Sequence, residues 1–434
     1  MLDIKFIRQN SEEVKEGLRK RNFDIEIIDK IISLDERRRH VLKELEEGKA
    51  EINRKSKGMP AASEIEDLKK VKEKIKILES ELELVEKDLN ENLYQLPNLP
   101  LPDVPVGKSE RDNKVLYEVG ERPKFSAKGG SAAGGNFEPK KHYELGESLD
   151  IIDTKRAAKV SGSRFGYIKG FAAQLEFVLT QFVLSILTSE KELKKIAKKI
   201  NKNYSPKPFI PVIPPVLIKP EVFKKMARLN EEDKEERYYI PKDDLYLIGS
   251  AEHTLGPMHM GEIIDEKDLP IRYIGFSASF RRESGSYGKD VRGIMRVHQF
   301  NKLEMESFSA PEDSIKEQDF FVAIQEYLMQ KLEIPYRVVI ISTGDMGKPD
   351  ARQIDIEAWM PGSGEYRETH TADLMTDYQA RRLNTRLRRK NGDLEFVHMN
   401  DATAFAERTI LAILENYQQK DGSIKIPKVL KRYF

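Results

Sequence analysis

Arginine and carboxylate side chains are concentrated in one stretch of the chain, residues 280–304, which reads FRRESGSYGKDVRGIMRVHQFNKLE. Both ends are strand-like, and the basic, glycine-containing segment GSYGKDVRG between them predicts a hairpin with a long flexible loop. On a strand, Arg281 and Glu283 would project from one face, because side chains alternate. A guanidinium neutralises phosphate and a carboxylate accepts from an amino group, so the pair fits a nucleotide triphosphate. An exposed hairpin with ordinary salt bridges is the alternative.

The composition limits the classes of protein that fit. The chain has 434 residues, of which 34% are charged, and a net charge of +1. This length predicts two domains, and any nucleic-acid binding must come from local basic patches. The absence of cysteine excludes disulfides, thiolate nucleophiles and cysteine-ligated zinc. Neither a P-loop nor a strand-GxGxxG-helix fingerprint occurs, so a nucleotide would be held in another way.

The N-terminal segment MLDIKFIRQNSEEVKEGL is charged and amphipathic, without the apolar region of a signal peptide. No run approaches the roughly 18 consecutive apolar residues of a membrane span. We therefore expect a cytoplasmic protein with no membrane partner.

Two long helices are predicted between residues 27 and 96, where apolar residues recur in a 4,3 rhythm. The segment 55–64, KSKGMPAASE, would break the helix and fold the two arms into an antiparallel hairpin, each arm roughly 40 to 50 Å long. One interpretation is a dimerisation coiled coil. The other is a lever that reaches an RNA partner through basic residues on its first helix and tip: Arg37, Arg38, Arg39, Lys43, Lys49, Arg54, Lys55 and Lys57.

A proline-rich linker, LPNLPLPDVPVG (96–107), predicts a domain boundary, giving domains at 1–107 and 108–434. A second stretch, SAKGGSAAGGN (126–136), predicts a mobile surface loop. Beyond residue 141, a buried helix is predicted at 175–187, and strands are predicted at FIPVIPPVLI, DLYLIGS, IRYIGFSASF, GIMRVHQFNKLEMES, YRVVIIS, QIDIEAWM and LEFVHMN. The expected fold class is α+β: a helical hairpin followed by an antiparallel sheet flanked by helices.

The stretch 280–304 resembles motif 2 of the class II aminoacyl-tRNA synthetases, and in its wording the seryl-tRNA synthetases. Further blocks resemble the same family in its order: HYELGESLDIIDTKRAAKVSGSRFGYIKG, FIPVIPPVLI, LIGSAEHTL, TGDMGKPDARQIDIEAWMP, YRETHTADLMTDYQARRLNTR and ERTILAILENYQQKDGSIKIPKVLKRYF. The resemblance implies an enzyme that activates L-serine with ATP and transfers it to tRNA(Ser), held by the helical hairpin. It also implies a homodimer, built on the strand that carries Pro214 or Pro215. Whether tRNA(Sec) is a further substrate stays open.

The resemblance also implies where ATP binds. Arg281 and Arg408 match the catalytic arginines, which bridge the α-phosphate to the amino-acid carboxylate and hold the γ-phosphate, respectively. Glu368 matches the carboxylate that binds Mg²⁺ on the phosphates, and no zinc is expected. The implied ATP-binding set is Arg281, Arg282, Glu283, Val297, Glu368, Thr369, His370, Thr371 and Arg408.

The implied serine-binding set is Ser250, Ala251, Glu252, Arg281, Glu304 and Thr403. Its last member is ambiguous, because HMNDATAFAERT is one residue shorter than is usual in the family. Counting back from Arg408 places Asn400 and Ala402 at the contact positions, whereas the local text places Asp401 and Thr403 there. Thr403 is preferred because Ala402 has no hydroxyl.

One departure from the family pattern is THTADLM (369–375), which places His370 and Asp373 near the implied phosphate site; His370 is either a phosphate ligand or a structural histidine. Two other functions compete with the main one. One is a class II-like ligase that charges a carrier other than tRNA, although such relatives tend to lack the RNA-binding arm. The other is a non-catalytic scaffold, which the retained arginines and carboxylates disfavour.

Overall fold

The computed structural model describes residues 1–55, 62–123, 125, 137–229, 234–284 and 292–434. The chain divides into two compact units, Met1–Pro100 and Leu101–Phe434. The hairpin tip, the loop predicted at 126–136 and most of the GSYGKDVRG loop lie outside the described residues.

The first unit is helical. Its described helices are α1 (Ile4–Gln9), α2 (Ser11–Lys20), α3 (Glu26–Lys55) and α4 (Ala62–Gln95). The apolar seam between α3 and α4 buries Val41, Leu45, Ile75 and Leu78. Arg37 pairs with Glu81 and Glu44 with Lys74, so the two helices run antiparallel. The predicted hairpin of two long helices is confirmed.

The second unit is built on a sheet whose described strands follow the order β1-β11-β12-β13-β16-β10-β9-β4. Neighbouring strands pair antiparallel except β4, which pairs parallel with β9. The strands of this large sheet are β1 (Lys114–Val119), β4 (Ile210–Val212), β9 (Ile271–Phe280), β10 (Gln299–Ser309), β11 (Tyr336–Ile340), β12 (Arg352–Met360), β13 (Glu365–Thr376) and β16 (His398–Ala406).

Small sheets and helices surround the large sheet. The remaining strands are β2 (Ile152–Asp153), β3 (Tyr167–Ile168), β5 (Leu217–Ile218), β6 (Tyr239–Ile240), β7 (Leu245–Leu247), β8 (Ile263–Asp265), β14 (Arg386–Arg388) and β15 (Leu394–Phe396). The helices are α5 (His142–Ser148), α6 (Thr154–Ser161), α7 (Gly170–Leu187), α8 (Glu190–Ile200), α9 (Pro220–Lys225), α10 (Glu252–Leu255), α11 (Ser314–Lys331), α12 (Tyr378–Leu383) and α13 (Glu407–Tyr417). The predicted fold class is confirmed.

Helices α11 and α13 cover one face of the large sheet, and the main core lies between these helices and the sheet. Two buried glutamines of α11 fasten the helix to the strands. The Gln318 side chain donates to the carbonyls of Arg352 and Ala372, and Gln325 donates to those of Thr371 and Thr403. The opposite face of these strands is therefore left free to carry polar side chains.

Helix α7 is long and apolar enough to cross a membrane by length and composition, and it is the one helix with that property in the described part of the chain. Half of its residues are buried within the protein, and side chains such as Leu175 and Phe182 belong to the main core. Core packing accounts for its apolar composition.

Two strand predictions around residues 280–304 were wrong in detail. The second strand begins at Gln299 rather than Gly293, so Ile294, Met295 and Val297 precede it. The first strand ends at Phe280, so Arg281 and Glu283 are not strand neighbours. Glu283 has a left-handed backbone, with φ of 54°, which turns the chain away from the strand direction.

Candidate active site

A cavity of about 250 Å³ lies on the face of the sheet opposite α11, over strands β10, β13 and β16 and the start of α13. It gathers most of the residues predicted from the sequence. Those lining it are Glu252, Arg281, Glu283, Val297, Glu304, Glu368, Thr369, Thr371, Thr403 and Arg408. Residues separated by up to 156 positions along the chain therefore share one site.

One end of the cavity is formed by Arg408, the second residue of α13, and Glu368 on β13. Arg408 Nη1 lies 3.0 Å from Glu368 Oε2 and also donates to the Glu368 carbonyl at 3.2 Å. Arg408 Nε donates to the Met295 carbonyl. Desolvation by the cavity wall acts to raise the pKa of Glu368, but Arg408 outweighs it, so the pKa is lowered. This end holds an ionised carboxylate beside an oriented guanidinium.

Arg281 reaches the cavity from the end of β9. Its Nε donates to the Gly249 carbonyl at 3.1 Å, and its guanidinium carbon lies 5.2 Å from the centre of the Phe300 ring. Glu283 is held from two sides, since Arg164 donates to its carbonyl at 2.7 Å and Arg296 Nη1 lies 3.3 Å from its Oε2. Both side chains thus have fixed positions although they lie beyond the strand.

The other end of the cavity is lined by buried charges. Lys302 Nζ lies 2.5 Å from Glu304 Oε2 and donates to Ser250 Oγ at 3.1 Å. Burial raises the pKa of Glu304 to about 8, with Lys302 opposing the shift and Glu252 adding to it. Burial acts to lower the pKa of Lys302, but Glu304 and Glu252 raise it overall.

Glu252 begins helix α10 and carries an open acceptor. Its side chain is buried, and its Oε2 accepts no hydrogen bond from the residues that the structure describes. Burial acts to raise the pKa of Glu252, but His253, Lys302 and Arg228 lower it overall. A buried, ionised carboxylate with an open oxygen suits a ligand that carries N–H or O–H donors.

The alternation of side chains between the two faces of strand β16 distinguishes the two alignments that the sequence left open. Thr403 and Asp401 line the cavity, whereas Ala402 belongs to the main core on the opposite face. Asn400 also faces away, and its side chain donates to the Ser314 carbonyl at the start of α11. Thr403 stands directly opposite Glu304 on β10. The structure therefore brings Asp401 and Thr403, rather than Asn400 and Ala402, into the cavity.

Four sequence-predicted residues lie outside the cavity lining. Ser250 does not line the cavity, but its hydroxyl accepts a hydrogen bond from Lys302, which does. Ala251 is a core residue in the same apolar cluster as Leu255. His370 is buried against Thr369, whose hydroxyl lies 2.9 Å from its Nδ1, and burial lowers its pKa to about 4. A neutral, buried imidazole fits the structural interpretation. Arg282 faces a neighbouring depression, where its guanidinium lies 4.7 Å from the centre of the Tyr238 ring.

Comparisons with known proteins show the family of this chain. The seryl-tRNA synthetase N-terminal domain family matches residues 1–100, and the tRNA synthetase class II core domain family (G, H, P, S and T) matches residues 235–417. The serine-tRNA ligase of Dictyoglomus turgidum is 42% identical, and the alignment covers the whole chain and 98% of that protein. The chain belongs to the seryl-tRNA synthetase family. The resemblance noted in the sequence is confirmed.

Solved structures of the seryl-tRNA synthetase family have the same fold. The Pyrococcus horikoshii enzyme, complexed with ATP, is 41% identical with a TM-score of 0.87, and the match covers all of this chain and 98% of that one. The cytoplasmic serine-tRNA ligase of Naegleria fowleri, in complex with AMP, is 32% identical with a TM-score of 0.85, covering all of this chain and 97% of that one.

Several cavity residues were missed by the sequence analysis of this seryl-tRNA synthetase family member. They include Arg228, Lys302, Asp350, Gln353 and Glu407, whereas Asp373, which the sequence placed near the implied phosphate site, lines the cavity beside Arg228. Lys302 was detectable, because it stands two residues before Glu304 on a strand and must share its face. Arg228 lies in a loop outside the blocks that resemble the family, whereas Asp350 lies within one of them, TGDMGKPDARQIDIEAWMP, and was not assigned to the site.

Among the described residues, no group of three or more His, Asp or Glu side chains is arranged to hold a metal ion. Glu368 offers one ionised carboxylate in the cavity, beside the hydroxyl-bearing Thr369 and Thr371. Mg²⁺ is commonly held by one or two carboxylates together with substrate phosphates and water. The donor set fits a Mg²⁺ ion that arrives with a nucleotide.

Proposed function

We propose that this chain is an ATP-dependent serine-tRNA ligase, which forms seryl-adenylate and then seryl-tRNA(Ser). The observation that carries the proposal is that a single cavity holds both guanidinium and carboxylate side chains, placed toward different ends. Arg281 and Arg408 supply guanidinium groups for a polyphosphate, while Glu252 and Glu304 supply carboxylates for an ammonium and a hydroxyl. Membership in the seryl-tRNA synthetase family supports the same assignment, and it disfavours a ligase acting on a carrier other than tRNA.

The first step joins serine to the nucleotide. An oxygen of the serine carboxylate attacks the α-phosphorus of ATP, the bond to the bridging oxygen breaks, and pyrophosphate leaves. Arg281 neutralises both the carboxylate and the α-phosphate, and Arg408 holds the γ-phosphate. Positioning and charge neutralisation are the main contributions in phosphoryl chemistry of this kind. Glu368 would hold a Mg²⁺ ion that arrives with the phosphates, and the ion would supply further charge neutralisation.

The remaining nucleotide and amino-acid contacts follow from the cavity. Val297 and the Phe300 ring offer an apolar surface for the adenine, with Glu283 at its edge. Glu252 and Glu304 receive the serine ammonium and hydroxyl, and Thr403, opposite Glu304, adds a second hydroxyl contact. In the second step a terminal ribose hydroxyl of the tRNA attacks the seryl carbonyl carbon, and AMP leaves with the bonding electrons.

The helical hairpin is the proposed tRNA contact. Residues 1–107, with the proline-rich linker, form the proposed tRNA-binding domain, and residues 108–434 form the catalytic domain. Helices α3 and α4 would be about 45 and 51 Å long at 1.5 Å per residue, which suits recognition of RNA shape at a distance from the acceptor end. Exposed basic side chains such as Lys43 support this role.

A homodimer in the cytoplasm is the proposed working state. Apolar side chains are exposed at and beyond the end strand β4, where Ile210 is 52% exposed and Ile213 is 88% exposed. An exposed apolar edge of this kind suits association with a second copy.

Amino-acid-dependent exchange of pyrophosphate into ATP tests the proposal. The purified full-length chain should catalyse exchange with L-serine, and serine should exceed alanine, glycine and threonine. Charging of tRNA(Ser) and of tRNA(Sec) is measured in parallel. Exchange with alanine or glycine in the absence of exchange with serine would overturn the substrate assignment.

A further inference from the structure

Arg228 enters the cavity from the turn that follows helix α9. It lies at the end lined by Glu252, Lys302 and Glu304, which we call the amino-acid end. The preceding residue, Ala227, has a left-handed backbone with φ of 56°, which redirects the chain after the helix. The turn is fixed from α12, because Gln379 donates to the Met226 carbonyl at 3.0 Å and Arg382 donates to the Lys224 carbonyl at 3.3 Å. The guanidinium of Arg228 is therefore held in place by the backbone that carries it.

One nitrogen of this guanidinium approaches three carboxylates from three separate segments. Arg228 Nη2 lies 3.4 Å from Asp373 on β13, 3.6 Å from Asp401 on β16, and 3.7 Å from Asp350 in the loop between β11 and β12. The loop comes so close that a Cβ atom on Gly347 would lie 2.2 Å from Asp350 and 3.2 Å from Arg228 Nη1. A larger residue at Gly347 would displace the Asp350 carboxylate.

The sheet register explains why a cation is needed here. Asp373 stands directly opposite Asp401, and Asp401 stands directly opposite Glu306, so three adjacent strands present a row of acids. Each of the three is 6% exposed or less. Like charges directly across a sheet repel one another, and buried carboxylates must either pair with a cation or take up protons.

Arg228 supplies that cation. Burial acts to lower its pKa, but Asp350, Asp401 and Asp373 raise it overall, so the guanidinium stays charged. Burial raises the pKa of Asp373 to about 7, with Asp350 adding to the shift and Arg228 opposing it. The row is thus only partly neutralised. Asp401 Oδ2, like Glu252 Oε2, accepts no hydrogen bond from the described residues.

We propose that Arg228 is a positioning and specificity-determining residue that sets the charge of the amino-acid end of the cavity, so that it matches one ammonium and one neutral hydroxyl side chain. The proposal rests on the proposed function. Without Arg228, the buried carboxylates would favour a second positive charge on the ligand. A cationic analogue of serine's size would then bind more tightly relative to serine. With Arg228 present, the protein itself supplies one of the positive charges that these carboxylates require, and the ligand needs to supply only its ammonium.

Full-length variants in the pyrophosphate-exchange assay test this inference. We expect R228M to raise the KM for serine at least tenfold while the KM for ATP changes less than twofold. The relative kcat/KM of L-2,3-diaminopropionate over serine should rise at least tenfold. R228K, which keeps the charge, should stay within threefold of the wild type in each value. R228M/D350N, which restores the charge balance, should recover the serine KM to within threefold.

A matched control is R389M, because Arg389 also pairs with three carboxylates, Glu266, Glu312 and Glu395, and does not line the cavity. We expect R389M to leave both KM values unchanged. If R228M alters the serine and ATP KM values equally, or if R228M/D350N is no better than R228M, the role in setting charge is overturned. If R228M does not fold, a tenfold rise in the serine KM of R228K overturns it equally. A wild-type chain without serine-dependent exchange would instead overturn the proposed function.

Discussion

Lys302 and Glu304 form an ion pair at the amino-acid end of the cavity, with Nζ 2.5 Å from Oε2 and both side chains almost fully buried. They stand two residues apart on β10 and so face the same way, while Leu303 and Met305 point into the core. The lysine also bridges to Ser250. The strand thus separates a charged face, available to a ligand, from an apolar face that holds the sheet against its helices.

Replacing Lys302 by Met should both destabilise the catalytic unit and weaken serine binding. Above about pH 8, where Glu304 is ionised, removing Lys302 leaves an uncompensated buried charge, at a cost of about 3–5 kcal/mol. Urea unfolding followed by the fluorescence of Trp359, the one tryptophan, on β12, measures the loss. The control is K316M, since Lys316 pairs with Asp313 in an exposed position and its loss should cost about 1 kcal/mol or less. Equal losses in the two variants would contradict the buried pair.

Serine binding should strengthen as pH rises from 6 to 8. Burial raises the pKa of Glu304 to about 8 and that of Asp373 to about 7, so in the free protein both carboxyls titrate within this pH range. An incoming ammonium favours their ionised forms, so binding releases protons and the serine KM falls as pH rises. The ATP KM should stay flat over this range. Titration calorimetry in two buffers of different ionisation enthalpy measures the protons released, and proton uptake on serine binding would contradict the assignment.

The same shifts predict how stability depends on pH. Because the folded-state pKa of these carboxyls lies above the unfolded-state value, the folded protein binds more protons than the unfolded one between about pH 4.5 and 8, and its free energy of unfolding falls as pH rises. The slope should be smaller in E304Q, which no longer titrates at that position. Urea midpoints at pH 5, 6, 7 and 8 provide the measurement, and an unchanged slope would contradict the raised pKa.

Substituting Arg408 by Ala should lower kcat for pyrophosphate exchange by about 10²–10³, the usual loss for a group that stabilises charge in a transition state. The effect on folding should be small, because Arg408 and Glu368 are both partly exposed. R388A is the control, since Arg388 pairs with Asp265 outside the cavity and its loss should leave kcat unchanged. An R408A variant with normal kcat would remove Arg408 from the catalytic set.

Much of this fold was readable from the sequence because its signals are local. The heptads of α3 and α4 and the alternation of β9 and β12 each lie within about 35 residues. Strand β13 was not predicted as a strand. The face that lines the cavity carries Thr371 and Asp373, so the segment lacks the run of apolar residues expected of a strand buried on both faces. A polar face is what a strand needs when it lines a ligand cavity.

The site was only partly predictable for a related reason. Motif residues such as Arg281 and Glu368 could be matched to a known family, and the structure brings them into one cavity. The role of Arg228 depends on its contacts with Asp350, Asp373 and Asp401, which lie up to 173 residues from it in the chain. Long-range ion pairs of this kind leave no local pattern.

The choice between Thr403 and Ala402 can be tested with one variant on each face of β16. T403V keeps the side-chain volume and removes the hydroxyl, so the serine KM should rise about fivefold, the equivalent of one hydrogen bond worth about 1 kcal/mol. A402S instead places a hydroxyl in the core beside Met305 and should lower stability without changing the serine KM. T180V on α7, away from the cavity, is the neutral control. The opposite pattern would favour the alignment that counts back from Arg408.

The role of the hairpin in tRNA binding predicts a change in salt dependence. Each lysine or arginine that contacts a phosphate contributes about 0.7–0.9 to the slope of log affinity against log salt concentration. Lys43, which is 76% exposed, and Arg54, in the last turn of α3, are candidates for such contacts. K43Q/R54Q should therefore weaken tRNA(Ser) binding and reduce the slope by up to about 2, while serine-dependent pyrophosphate exchange stays at the wild-type rate. The paired control is K331Q/K428Q, which removes two positive charges from the second unit. Equal slopes for the two double variants and the wild type would place the RNA contact elsewhere.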